Sequence, residues 1–373
     1  MNQATTAPMN RRAAAKIINY FFMNTSELSK IARQMVAPGK GILAADESMN
    51  TVGKRFASIN LENNEPNRQA FREMLLTAPG EGQYISGVIL FDETIRQKTS
   101  DGRSFVEVLN SEGILPGIKV DSGIKEMAAG SVEKVTTHGL EGLGGKMAEY
   151  AAMGAKFAKW RAVITIADGT PTQANISQNA KDLAQYALVC QQAGIVPMVE
   201  PEVLLDGNHS LQKSTEVLEQ TLKALFDELK NVGVAPEGTI LKSSMAISGK
   251  DSGVKDAPAQ VAEATIGVFK KVLPAQLAGV VFLSGGQSEL QATENLNAMH
   301  QLGELPWPVS FSYARALQDG ATKIWQGKKE NLEAAQKVFL HRAKMNSLAS
   351  EGKYTAEMEA GFNAASGGEA TQD

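Results

Sequence analysis

Thr239-Ile240-Leu241-Lys242-Ser243-Ser244-Met245 reads as a short strand buried on both faces, with a lysine in its middle. Short apolar runs closed by turn residues are what strands covered on both sides look like. Seven further runs have this form: Ile42 to Ala45 before Asp46, Ile85 to Phe91, Leu115 to Val120, Phe157 to Ile166, Ile195 to Val199, Gly279 to Leu283, and Pro308 to Tyr313. Helical patterns lie between them. Ile176, Ala180, Leu183, Ala187 and Cys190 fall on one helix face, which puts Cys190 in the core. Leu218, Leu222, Leu225, Phe226 and Leu229 do the same before Gly233, and Thr293 to Leu302 and Leu332 to Leu348 read as further helices. Eight strands alternating with helices indicate an α/β fold with a parallel sheet, and the count favours closure into a (β/α)8 TIM barrel. An open doubly wound sheet usually carries a Gly-rich fingerprint after its first strand, and none follows Asp46.

The totals narrow the function classes. A chain of 373 residues with 43% hydrophobic and 21% charged residues can bury a large core. A net charge of −4 argues against nucleic acid or an anionic membrane as a bulk partner. No apolar run approaches the length needed to cross a bilayer. The lone Cys190 fits a reducing compartment, and the cytoplasm is the expected location. His138, His209, His300 and His341 lie far apart without ligand spacing, so with one cysteine a histidine-rich zinc site is not expected.

Both ends stand apart from the barrel, which is expected over residues 23–360. Residues 1–22 carry Arg11, Arg12 and Lys16 and no acidic residue. That composition resembles a weak presequence, which would imply the plastid stroma. The simpler reading is a natural start at Met23, with Asn24 capping a helix and Glu27 three residues on. The Gly- and Ala-rich tail, residues 361–373, reads as a mobile segment.

A single lysine in a strand can snorkel to water along its own stem. Lys242 has company. In a barrel, catalytic groups come from the C-terminal ends of different strands and converge although distant in sequence. By that rule strand one supplies Asp46, strand three Lys119, strand four Lys159, strand five Glu200 and strand six Lys242. An internal ion-pair network is the alternative, but desolvation makes such networks a poor route to stability. A lysine among other cations has a lowered pKa, and its neutral amine can attack a carbonyl to form a Schiff base.

The last two strands lead into an anion-suited loop pair. Ser284, Gly285 and Gly286 offer backbone N–H groups without Cβ obstruction, and Arg315 offers a charged fork. A second anion site is expected on the opposite rim, from Ser48, Thr51, Lys54 and Arg55.

From about Ser26 to Tyr354 the chain resembles the class I, Schiff-base-forming fructose-1,6-bisphosphate aldolases. The resemblance rests on seven blocks in order: Gly39 to Ser48, Gly87 to Phe91, Gly117 to Asp121, Phe157 to Arg161, Val199 to Glu202, Phe282 to Ser288 and Phe311 to Leu317. It implies reversible cleavage to dihydroxyacetone phosphate and glyceraldehyde 3-phosphate, in a homotetramer, with no cofactor. It also implies roles. Lys242 would form the imine. Glu200, suited by a raised pKa, would shuttle protons, and Asp46 would exchange the C4 hydroxyl proton. Lys159 would stabilise oxyanionic character, with Glu202 and Lys119 setting the charge around it. Ser284, Gly285, Gly286 and Arg315 would hold the C1 phosphate. Ser48, Thr51, Lys119, Lys54 and Arg55 would hold the C6 phosphate, with Arg161 as a further substrate contact.

Three departures are visible. The family commonly has Leu-Lys-Pro-Asn-Met where this chain has Leu241-Lys242-Ser243-Ser244-Met245. Ala314 stands where many members have glycine. Eukaryotic members usually end in a tyrosine that assists proton exchange, whereas the last tyrosine here is Tyr354, so loss of the last ten residues is expected to change turnover little.

Overall fold

The computed structural model describes residues 25–136 and 139–365. The eight expected runs form one closed parallel barrel: β1 (Gly41–Ala45), β2 (Ile85–Leu90), β3 (Leu115–Lys119), β6 (Phe157–Ile164), β7 (Val196–Val203), β8 (Ile240–Ser243), β9 (Gly279–Phe282) and β10 (Val309–Tyr313). The remaining pair, β4 (Ile124–Glu126) and β5 (Lys134–Thr136), is an antiparallel hairpin above β3 that sequence reading did not expect. Its first strand is wholly exposed, so no apolar run marks it.

Helix α1 (residues 25–35) precedes the barrel. Then come α2 (Met49–Ala57), α3 (Glu65–Leu76), α4 (Asp92–Arg96), α5 (Phe105–Ser111) and α6 (Leu143–Ala152). The second half carries α7 (Gln173–Gln192), α8 (Leu211–Val232), α9 (Pro258–Val272), α10 (Glu289–Gln301), α11 (Arg315–Trp325) and α12 (Leu332–Ala349). Helix α13 (Glu357–Ala365) runs past the point where the tail was expected to begin. Residues 1–24, 137–138 and 366–373, including the expected extension, the Asn24 cap, His138 and most of the tail, lie outside the described residues.

Strand alternation explains how a barrel interior can be oily below and charged above. Ile42, Ala44, Leu115, Phe157, Met198 and Ile240 belong to one buried cluster with Leu28, Ala32 and Met35 of α1, which plugs the lower end. Continue each strand by the same two-residue step and the inward positions reached are Asp46, Lys119 (after Gly117), Lys159, Glu200 and Lys242. Phe157 fills the space beside Gly117, where an added Cβ would come within 2.2 Å of its ring. The outward faces, including Trp160, Phe282 and Phe311, pack against the helices in a second cluster. Cys190 belongs to it and is fully buried, as its helical spacing predicts, and burial pushes its thiol pKa up.

One boundary differs in a way that matters. β7 was expected to end at Val199 but continues to Val203, so Glu200 and Glu202 lie within the strand. Carboxylates read as a strand end in sequence. Here each is an inward residue matched by cations on the neighbouring strands.

Candidate active site

The upper end of the barrel opens into a cavity of about 1320 Å³. Fourteen of the fifteen residues singled out in the sequence line it: Asp46, Ser48, Thr51, Lys54, Arg55, Lys119, Lys159, Arg161, Glu200, Glu202, Lys242, Ser284, Gly285 and Arg315. Gly286 is the exception: it is solvent-exposed and not among the lining residues.

At the base, charges of opposite sign alternate. Lys242 Nζ lies 3.0 Å from Glu200 Oε1. Glu200 Oε2 lies 3.2 Å from Lys159 Nζ, a charge contact without the alignment of a hydrogen bond. Lys159 Nζ reaches Asp46 Oδ2 at 2.6 Å and Asp121 Oδ2 at 3.9 Å. Asp121 in turn holds Lys119 through Oδ1 at 2.6 Å, and its carbonyl accepts from the same ammonium at 2.7 Å. Lys159, Glu200 and Lys242 are almost wholly buried.

This alternation corrects two expectations. The lysines were expected to depress one another, yet Lys159 is pushed the other way. Burial alone would lower its pKa, but Asp46, Glu200 and Asp121 outweigh burial and raise it, so it stays an ammonium. Glu200 was expected to have a raised pKa. Burial does push it up, but Lys159, Lys242 and Arg161 outweigh that and hold it below the usual carboxylate range. Asp46 goes further: against the cost of burial, Lys159, Lys242 and Lys119 bring it down to about 2.

The rim has two anion-suited regions. On one side Gly285 and Gly286 take left-handed φ values of 58° and 102°, which turn the chain sharply after Ser284. Arg315 opens α11 beside them, and an added Cβ at Gly286 would stand 3.7 Å from its guanidinium. Gly286 therefore shapes the loop from outside the cavity. On the other side Ser48 and Thr51 share a hydroxyl contact of 3.1 Å at the start of α2, and Lys54 is exposed. Arg55 sits deeper than its sequence position suggests, paired with Glu47 at 2.9 Å and donating to Gln318. Arg161 is paired with Glu202 at the mouth.

Sequence reasoning missed Asp121, Glu47 and Ser312. Asp121 lay inside a block quoted for the family likeness, and its offset of two from Lys119 was the available signal. Glu47 is buried beside Asp46, and burial raises its pKa despite Arg55. The Ser312 hydroxyl is buried on β10 and has no hydrogen-bond partner among the described residues.

Comparison with known proteins now identifies the family. A family model described as fructose-bisphosphate aldolase class-I matches residues 27–370. The chain belongs to the class I fructose-bisphosphate aldolases. A probable fructose-bisphosphate aldolase class 1 from Xanthomonas axonopodis pv. citri (strain 306) is 52% identical, covering 89% of this chain and 99% of that protein. Fructose-bisphosphate aldolase 4, cytosolic, from Arabidopsis thaliana is 51% identical, covering 92% and 88%. A solved structure of fructose-bisphosphate aldolase from Plasmodium falciparum, in complex with TRAP and a small-molecule inhibitor, superposes with a TM-score of 0.88 at 46% identity, covering 89% and 96%. Aldolases of this class are lyases, and so is this chain. The aldolase barrel holds Lys119, Lys159, Glu200 and Lys242 on strands, with Asp46 and Asp121 within two residues of a strand end, which fixes their separations.

Proposed function

We propose that this aldolase cleaves fructose 1,6-bisphosphate reversibly to dihydroxyacetone phosphate and glyceraldehyde 3-phosphate, through an imine on Lys242. The observation that carries the reading is the 3.0 Å contact between Lys242 Nζ and Glu200 Oε1 at the base of a cavity with anion-suited loops on opposite rims.

The residues divide the work as follows. Transfer of a proton from Lys242 to the Glu200 carboxylate frees the amine lone pair to attack C2 of the ketose. Glu200 returns that proton to the departing hydroxyl as the carbinolamine loses water. The iminium so formed draws electrons from the C3–C4 bond, which breaks as the C4 hydroxyl gives its proton to Asp46. A carboxyl held at about 2 is ionised at neutral pH and ready to accept. Lys159, kept charged between Asp46 and Glu200, steadies negative charge as it develops on oxygen. Asp121 keeps Lys119 and Lys159 oriented toward the same cavity.

Ser284, the Gly285 backbone and Arg315 hold the C1 phosphate. Ser48, Thr51, Lys54 and Lys119 hold the C6 phosphate, with Arg55 balanced against Glu47. Two anchors on opposite rims fix the chain of a sugar bisphosphate over the amine, and such positioning supplies much of a barrier's reduction. Because the iminium is the electron sink, the reading needs no metal.

Homotetramer assembly and a cytoplasmic location, in line with the cytosolic Arabidopsis relatives, belong to the same proposal. Light scattering and cell fractionation test those two points. The reaction itself is tested by following triose phosphate release from fructose 1,6-bisphosphate with and without a chelator. Release unaffected by chelation supports the reading, and release abolished by it overturns the imine route.

A further inference from the structure

The joint between β7 and β8 is open where the chemistry needs it closed. β6 and β7 stay in register through Ile164↔Val203, and β8 and β9 stay paired through Ser243↔Phe282. Between them, β7 and β8 have two registered pairs, Met198↔Ile240 and Val199↔Leu241, and the ladder then stops just below Glu200 and Lys242.

The sequence explains the stop. Val196 and Leu204 donate their N–H groups toward β6, to Lys156 at 3.1 Å and Ile164 at 2.9 Å. Backbone groups alternate along a strand, so the odd positions of β7 face β8. After Val199 the next odd position is Pro201, which has no N–H to give. The position after that is Val203, and its N–H donates to the Ser244 hydroxyl at 3.2 Å. A side chain of β8's exit thus takes the bond that a strand carbonyl would ordinarily accept.

Ser243 completes the arrangement. Its carbonyl accepts from Leu283 N–H at 3.0 Å, one residue before Ser284 of the anion-suited loop, and its hydroxyl donates to the Ser244 carbonyl at 2.9 Å. Both serines are buried. The pair therefore ties the end of the lysine strand to the carboxylate strand on one side and to the phosphate loop on the other.

We propose that Ser244 is a positioning residue: by holding Val203 N–H across the gap left by Pro201, its hydroxyl fixes the Glu200 carboxylate at the Lys242 amine. This rests on the reading of Lys242 as the imine-forming residue. It also explains how the chain keeps that joint with serines where relatives commonly carry proline and asparagine. The requirement at position 244 is a short side chain with an acceptor oxygen.

The test is the rate of imine formation with dihydroxyacetone phosphate, trapped by borohydride at timed intervals and located by mass spectrometry. Ser244→Ala should slow trapping at saturating ligand roughly 10- to 100-fold, as expected for misplaced reacting groups, while the KM for fructose 1,6-bisphosphate changes less than about threefold. Ser244→Asn and Ser244→Thr, which keep an acceptor oxygen, should stay within about fivefold of the parent rate. Should Ser244→Ala be insoluble, Ser244→Cys serves in its place: its weaker acceptor predicts an intermediate rate. Alanine and parent trapping at equal rates, whatever the melting temperatures, would overturn the proposal and leave Ser244 a packing residue. No label on Lys242 in the parent protein would overturn the imine reading itself, and this proposal with it.

Discussion

Lys242 and Glu200 meet at 3.0 Å, amine to carboxylate, both buried and on adjacent strands. The other Glu200 oxygen faces a second ammonium, that of Lys159. Lys159 and Lys242 together hold Glu200 ionised against its burial, and in the proposed mechanism Lys242 is the one it relieves of a proton. Glu200→Gln keeps the shape but cannot carry a proton. It should lower kcat by about 10²- to 10⁴-fold with little change in KM, measured by steady-state assay. A fall in kcat/KM that comes from KM alone, with kcat unchanged, would point to a binding role instead.

Removing Lys159 should do more than slow the reaction. Lys159→Met leaves Asp46 and Glu200 buried without their shared counter-charge, and breaking a buried pair by removing one partner costs about 3–5 kcal/mol. Urea unfolding at neutral pH measures this. A loss under about 1 kcal/mol would mean that water compensates the two carboxylates.

Asp46 gives a pH signature whose sign is fixed. Its folded pKa of about 2 lies below the ordinary 3.8, so ionisation adds stability above the unfolded value and that stability is lost as pH falls toward the folded one. Asp46→Asn should therefore cost about 2 kcal/mol at pH 7, and the gap to the parent should narrow between about pH 4 and pH 2. Denaturant melts across that window check it; a gap independent of pH would count against the pairing with Lys159.

The opposite sign belongs to Glu81, below the barrel. It is fully buried, both carboxylate oxygens lack hydrogen-bond partners among the described residues, and burial together with Glu112 raises its pKa well above the ordinary value. A raised acid favours the folded state when protonated, and that advantage disappears as pH climbs from the ordinary value near 4.5 toward the folded one. Glu81→Gln should stabilise the protein by about 1–3 kcal/mol at neutral pH and by less at pH 4. Thermal melts at the two pH values would reveal it.

Packing yields a fifth expectation. A methyl group at Gly117 would meet the Phe157 ring at 2.2 Å, inside a barrel with nowhere to expand. Gly117→Ala should destabilise by about 1–3 kcal/mol, and Phe157→Leu added to it should recover part of the loss.

Much of this was legible in the sequence because each barrel strand carries a short, mainly apolar run. The hairpin of Ile124–Glu126 with Lys134–Thr136 was not, since an exposed strand carries no such signal. Charge identity was legible and charge balance was not. Lys119, Lys159 and Lys242 stand out one by one as misplaced lysines, but that Lys159 stays charged depends on the carboxylates of Asp46, Glu200 and Asp121 around it. That is set by barrel register, Lys119 beside Lys159 and Arg161 beside Glu200, which pairs residues 40 and 39 positions apart. Glu200 was expected to be a carboxyl of raised pKa from its implied proton-shuttle role, and its lysine neighbours Lys159 and Lys242 reverse that. Gly286 looked like part of the phosphate cradle because it follows Gly285, yet the turn directs it outward.

The central claim is that Lys242 forms the imine. Incubating the protein with dihydroxyacetone phosphate, reducing with borohydride and mapping the adduct by mass spectrometry tests it directly. The account predicts a single stable adduct on Lys242, absent in Lys242→Met. An adduct on Lys119 or Lys159 instead, or full cleavage activity with no adduct at all, would contradict it.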